Sequence, residues 1–237
     1  MHTTERTAID LARRMLGECV LFKGLSPDER ADLVARARMR AYSAGETIFL
    51  MGSTGDSMMA VLDGTIRISV PSPEGKEIVL AMIQPGEVFG EIALLDGKER
   101  TAEATAMTDC TVAVLERRDV LSFLESNPSG WPRLVDLLCG RLRHSDRQIA
   151  EMAFLQLPVR LAKALLRMAD MAAGLAGARA GARIRLTQRE LGNIVGMTRE
   201  SVNKCLREWQ RKGIIRIEDN AIVIVQRDQL ENVAHTG

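Results

Sequence analysis

Residues 85 to 106 read P-G-E-V-F-G-E-I-A-L-L-D-G-K-E-R-T-A-E-A-T-A. A glycine turn opens the stretch, a short apolar segment follows, and one carboxylate, Glu91, is brought close in sequence to one guanidinium, Arg100. Backbone N–H groups at a tight turn and helix start can point at an anion, and an arginine can close on it with a planar fork. The stretch therefore reads as a phosphate cradle, with Glu91 left to accept a hydrogen bond from a sugar hydroxyl. The plain alternative is a surface ion pair between Glu91 and Arg100 beside a hairpin.

The order F-G-E-I-A-L-L followed by R-T-A closely resembles the phosphate-binding cassette of cyclic-nucleotide-binding domains. The resemblance implies that Glu91 holds the ribose 2′-hydroxyl and that Arg100 and Thr101 hold the cyclic phosphate. It implies a contribution from the backbone at Gly90-Glu91 and Ile92-Ala93. The family's β-roll has the same glycine rhythm, with G-E-T-I-F near its start and D-G-T-I-R-I in its middle.

Around the cassette, residues 41 to 115 carry short β-type runs: 48–50, 58–62, 65–70, 77–83 and 110–115. Gly52, Asp63-Gly64, Glu74-Gly75 and Pro85-Gly86 punctuate them, which suggests a small antiparallel barrel or roll. Upstream, residues 8 to 38 have helical periodicity at Ile9, Leu11 and Ala12 and then at Leu33 and Val34. Ser26, Pro27 and Glu29 make a capping box with proline at the first helical position.

Downstream, a helix is expected from Pro132 to Ala153, about 33 Å long, with starts offered at both Asn127-Pro128 and Trp131-Pro132. Leu138, Leu142, Ser145, Ile149 and Met152 follow spacings of an a/d seam, so the helix is expected to pair two chains; the alternative is packing on its own roll. The family dimerises through this helix. The resemblance also implies that Ser145 and Asp146 reach the base, one from each subunit, and that Arg141 supports the cassette glutamate. Thr101 suits either purine, and an ionised Asp146 complements guanine's donors, which leaves cyclic AMP and cyclic GMP both open.

Pro158 is expected to end the long helix, with a boundary near Gln156, another amphipathic helix over 159–172 and a surface loop over 174–181. From Leu186 the chain reads L-T-Q-R-E-L-G-N-I-V-G-M-T-R-E-S-V-N-K-C-L-R-E-W. Thr187 to Glu190 is a capping box, Gly196 makes a turn, and Thr198 caps a second helix with Val202, Leu206 and Trp209 inward. The hairpin I-I-R-I and A-I-V-I-V around Asp219-Asn220 supplies a wing. Between Arg183 and Lys212 stand eight Lys or Arg against three Glu, in a chain whose formal net charge is only +1. Positive charge is thus concentrated where phosphates would lie.

The stretch T-R-E-S-V-N-K resembles the recognition helix of the same regulators, the cyclic-AMP receptor protein / fumarate-nitrate regulator (Crp/Fnr) family. The whole chain then implies an α+β architecture: a jelly-roll-like cyclic-nucleotide β-roll over 1–127, a dimerisation helix and hinge over 128–156, and a winged helix-turn-helix over 157–237. Thr198, Arg199, Glu200, Asn203 and Lys204 are the implied DNA-binding set. Arg199 would grip a guanine, Glu200 would accept from a cytosine, and Lys204 would reach a guanine or phosphate, although relatives often carry Arg there. Two such helices would read a palindrome with half-sites about 34 Å apart.

No apolar run reaches the roughly eighteen residues of a membrane helix, and the charged start lacks a signal-peptide core, so a cytoplasmic protein is expected. The four cysteines, Cys19, Cys110, Cys139 and Cys205, and the three histidines, His2, His144 and His235, are scattered. That spacing favours neither disulfides, a metal nor a haem. The expected partners are double-stranded DNA, a second copy of the chain and RNA polymerase, with cAMP or cGMP as effector and no metal. A redox or gas sensor on the same scaffold and a nucleotide hydrolase are the rivals, and no catalytic constellation supports the latter.

Overall fold

The computed structural model describes residues 26–73, 77–176, 183–218 and 221–235. The expected repeat at Ile9, Leu11 and Ala12 and the Asp219-Asn220 turn lie outside the described residues. The chain divides into two compact units, one reaching Pro73 and running from Leu80 to Arg143, the other running from His144 onward with Glu74–Val79 grouped to it.

Among the described residues the first unit opens with α1 (Pro27–Arg36). Its capping box is complete: Glu29 N donates to Ser26 Oγ at 3.2 Å, and Ser26 N donates to Glu29 Oε2 at 2.6 Å. These two bonds satisfy donors that a helix start otherwise leaves unpaired. Strands β1 (Arg38–Tyr42), β2 (Thr47–Phe49), β3 (Ser57–Asp63), β4 (Ile66–Pro71), β5 (Glu77–Ile83), β6 (Val88–Phe89), β7 (Glu103–Ala106) and β8 (Cys110–Glu116) follow, with the short helix α2 (Glu91–Asp96) between β6 and β7. They form two four-stranded sheets, ordered β1-β8-β3-β6 and β2-β7-β4-β5.

Strand β3 explains the uninterrupted apolar run M-M-A-V-L. Met58, Ala60 and Leu62 pack against α1, α3 (Arg117–Ser126) and the start of α4 (Gly130–Phe154), while Met59 and Val61 join a second core containing Ile66, Phe89, Ala104 and Val112. A strand buried on both faces has no polar side to alternate with. Three strands escape the sequence pattern. β1 and β6 are sheet edges, β1 carrying two arginines and β6 having two residues, and the inward positions of β7 are alanines. Leu50, expected in a strand, instead leaves β2 for the turn before Gly52 and is exposed.

Helix α4 begins at Gly130, between the two expected starts, and ends at Phe154. The break falls at Leu155 and Gln156, and Pro158 sits in the first turn of α5 (Leu157–Ala176), where a missing N–H costs no helical bond. α5 continues past the expected 172 as far as Ala176, so the glycine-alanine segment starts as helix; residues 177–182 lie outside the described part.

In the second unit β9 (Arg183–Ile184), α6 (Gln188–Val195), α7 (Arg199–Arg211), β10 (Ile215–Glu218), β11 (Ala221–Ile224) and α8 (Arg227–His235) follow in order. The small sheet is ordered β10-β11-β9. Leu161, Leu165, Leu191, Val202, Leu206, Trp209, Ile215 and Leu230 close one core beneath it. β9 and α8 are additions to the expected winged arrangement.

Candidate functional site

The cassette is built on a backbone that only glycine enters easily. Gly90 precedes α2 with φ +79°, and a Cβ there would stand 2.6 Å from Arg100 Nη1. Arg100 fills that space: Nη1 donates to Gly90 O at 2.7 Å and Nη2 to Ser57 Oγ at 3.1 Å. Its Cζ lies 4.3 Å from the centre of the Phe49 ring, a cation–π contact that supports the guanidinium from below. Main-chain bonds from Arg100 N to Ser53 O and from Gly52 N to Arg100 O, both 2.8 Å, hold the residue against the β2–β3 turn. A guanidinium has five N–H donors; two are used here, and the buried Nε has no partner. Burial lowers the Arg100 pKa, and the Asp56 and Glu91 charges partly restore it.

Glu91, the first residue of α2, is fully buried. Its Oε1 lies 2.9 Å from Arg141 Nη1 of α4, and Arg141 Nη2 donates to Val88 O. The ion pair is close but poorly aligned, and apart from the nearby backbone N–H of Glu91 itself neither carboxylate oxygen has a well-aligned donor. Burial raises the carboxyl above its usual value, and Arg141, the largest opposing influence, offsets this only in part. The alternative of a surface Glu91–Arg100 ion pair does not hold: both residues are buried, and Glu91 faces Arg141. Around them Ala93 is buried, while Ile92 and Thr101 are exposed.

Along α4, Leu142 and Ile149 are 63% and 66% exposed, large values for such residues, and Leu138 and Met152 are half-buried. Val135, one heptad before Leu142, extends the same stripe and is 53% exposed. Ser145 and Asp146 are both exposed beside it.

The reading helix is set up by a second capping box. Glu190 N donates to Thr187 Oγ1 at 3.2 Å, and Thr187 N to Glu190 Oε2 at 2.6 Å. Gly196 ends α6, and Thr198 Oγ1 accepts from Ser201 N at 3.3 Å to start α7. Burial of Val202, Cys205, Leu206 and Trp209 turns the opposite face outward. Arg199, Glu200 and Lys204 are exposed there, Asn203 is half-buried, and Arg207 and Arg211 continue the face. Part of the positive charge is locally engaged: Lys212 Nζ bonds Glu208 Oε1 at 2.6 Å, and Glu218 pairs with Arg216 at 2.9 Å and Arg183 at 3.6 Å.

Comparison with known proteins matches residues 39–127 to the cyclic nucleotide-binding domain and residues 159–233 to the Crp-like helix-turn-helix domain. The chain is 30% identical over 216 residues to the CRP-like cAMP-activated global transcriptional regulator of Mycobacterium tuberculosis, covering 91% of this chain and 96% of that one. It is 32% identical over 214 residues to the cyclic AMP receptor protein of Thermus thermophilus, covering 90% and 96%. The chain belongs to the Crp/Fnr family of transcription regulators. The fold agrees with a solved Crp/Fnr regulator from Thermus thermophilus at a TM-score of 0.70 and 28% identity, covering 84% of this chain and 99% of that one.

Crp/Fnr proteins are regulators rather than enzymes, and the helix-turn-helix of this one is its DNA-binding domain. Among the described residues no helix is long and apolar enough to cross a membrane. Two of its thiols are buried. Burial, helped by the Glu208 charge, pushes Cys205 up to about 11, and burial also raises Cys110. Such thiols hold little reactive thiolate at neutral pH. The sequence reading missed Ser57 and Phe49 as supports of Arg100, because both are far away in the chain and neither carries a local signal.

Proposed function

We propose that this Crp/Fnr regulator is switched by a purine 3′,5′-cyclic monophosphate, cyclic AMP in the first place, which raises its affinity for palindromic promoter DNA. The observation that carries the reading is Glu91, a fully buried carboxylate that Arg141 pairs with at Oε1 but whose oxygens lack a well-aligned side-chain donor. Such a group is costly in a folded protein and is satisfied by a ligand donor such as a ribose hydroxyl. The three remaining N–H groups of Arg100 suit a phosphate, and the backbone at Gly90, Ile92 and Ala93, with Thr101, completes the cradle. These groups fit a cyclic nucleotide; the nucleotide itself brings an anion, a sugar donor and a base edge.

Cyclic AMP comes first because the Mycobacterium tuberculosis and Thermus thermophilus relatives are named for it. A second reading, cyclic GMP, rests on the exposed carboxylate of Asp146, which can accept from guanine but cannot donate to adenine N1. Ser145 and Asp146 are the proposed base readers, and Arg141 orients Glu91. The exposed stripe from Val135 to Met152 pairs α4 with that of a second copy. A nucleotide that touches both copies binds one dimer geometry better than another, and this differential affinity is what a switch needs.

On DNA, Arg199 reads a guanine, Glu200 a cytosine, Lys204 a guanine or phosphate, with Thr198 and Asn203 at the flanks. The functional division is 1–127 for nucleotide, 128–156 for dimerisation and 157–237 for DNA. The regulator acts in the cytoplasm on promoters served by RNA polymerase. A gel-shift titration on a selected palindromic duplex, with and without nucleotide, tests the switch. Affinity should rise at least about tenfold with nucleotide, on the usual scale of allosteric coupling; equal affinity in both conditions overturns it.

A further inference from the structure

We infer that Arg117 is a positioning residue of the cassette, which clamps the far end of α2 so that its first turn stays aimed at the ligand. The inference rests on the nucleotide reading above. Helix α2 has six residues, and its own last turn contains no basic side chain. Its final carbonyls would therefore lack the cation that a helix C-terminus favours. Arg117 supplies one from elsewhere: its Nε donates to Leu94 O at 2.6 Å in a partly buried setting.

The guanidinium also lies over the turn that ends α2. Gly97 adopts φ +70°, and a Cβ placed there would stand 3.4 Å from Arg117 Nη2 and 3.7 Å from Cζ. Meanwhile Arg117 N donates to Asp56 O at 2.8 Å. Asp56 precedes Ser57, the residue that accepts from Arg100 Nη2. One residue thus ties together the two walls of the cassette: the end of the Glu91 helix, through its side chain, and the start of the strand that steadies Arg100, through its backbone.

Arg117 is itself the first residue of α3, whose Val120, Phe123 and Leu124 share a core with Leu94. The clamp is therefore anchored in packed structure. A six-residue helix with few internal bonds frays readily unless its ends are held. Its orientation sets where Glu91 and the backbone at Ile92 and Ala93 point.

The test compares wild type with Arg117→Met and Arg117→Lys as full-length chains, using calorimetric titration with cyclic AMP and cyclic GMP and amide hydrogen exchange of residues 91–97 without nucleotide. Both variants keep the backbone bond to Asp56. In Arg117→Met, exchange across 91–97 should accelerate, and nucleotide affinity should fall about tenfold, the scale of one charge-assisted hydrogen bond. Arg117→Lys, which can still donate to Leu94 O, should recover much of both. Wild-type exchange at 91–97 in Arg117→Met, or affinity within about twofold of wild type, overturns the clamp. If wild type binds neither nucleotide, the effector reading fails on its own, and the exchange comparison still decides whether Arg117 orders α2.

Discussion

Arg141 of the long helix meets Glu91 of the cassette at 2.9 Å, Nη1 to Oε1, in the interior of the first unit. The helix with the exposed apolar stripe is thereby tied to the first residue of the nucleotide cradle. On the proposed reading, a ligand donor that engages Glu91 acts directly on its ion pair with Arg141.

The first prediction concerns the carboxyl itself. Burial raises the Glu91 pKa above the usual 4.5, with Arg141 offsetting only part. A carboxyl raised on folding binds its proton more tightly folded than unfolded, so its favourable contribution is complete below the ordinary value and is lost as pH rises through the folded value. At pH 7, without nucleotide, Glu91→Gln should melt at a higher temperature than wild type. Thermal melts from pH 4 to 8 should show the variant gaining on wild type as pH rises, while its nucleotide affinity drops.

Arg100→Lys keeps the charge and loses the planar fork. Lysine cannot at once reach Gly90 O, Ser57 Oγ and a phosphate. Nucleotide affinity should fall by about a hundredfold or more, corresponding to roughly 3 kcal/mol of charge-assisted bonding. Calorimetry measures this, and circular dichroism should show the roll intact.

Gly90→Ala puts a Cβ 2.6 Å from Arg100 Nη1 at a φ of +79°. The backbone strain alone costs about 1–2 kcal/mol. Denaturant unfolding should register that loss, and binding should fall further because Arg100 is displaced.

Leu142→Asp and Ile149→Asp each place a charge on the exposed stripe of α4. On the proposed pairing, sedimentation should show a dimer for wild type and monomers for both variants, with circular dichroism of the folded chain nearly unchanged, since neither side chain is buried within it. A dimer that persists in both variants would assign the interface elsewhere.

Arg199→Ala should cost about 1–3 kcal/mol on the preferred duplex and relax the choice at one base pair. Competition gel shifts over singly altered duplexes read this out. An equal loss on every sequence would make Arg199 a phosphate contact.

Much of this was legible because the signals are local. The two capping boxes at Ser26 and Thr187 and the inward trio Val202, Leu206 and Trp209 each lie within a few residues of sequence, and the structure forms them as read. Local pattern fails where partners are distant or the signal is weak. The arginine-bearing edge strand β1 and the alanine-lined β7 carry too little apolar contrast to announce themselves. The contacts of Arg100 with Phe49 and Ser57, and of Arg117 with Leu94, arise only when the roll closes.

The most direct test of nucleotide control is a calorimetric titration of the purified chain with cyclic AMP and, separately, cyclic GMP. Saturable binding of one nucleotide per chain, lost in Arg100→Lys, is the predicted result, with a preference for cyclic GMP marking Asp146 as a base reader and a preference for cyclic AMP marking it as a bystander. Absence of heat with either nucleotide would contradict the account and leave a DNA-binding regulator governed by something else.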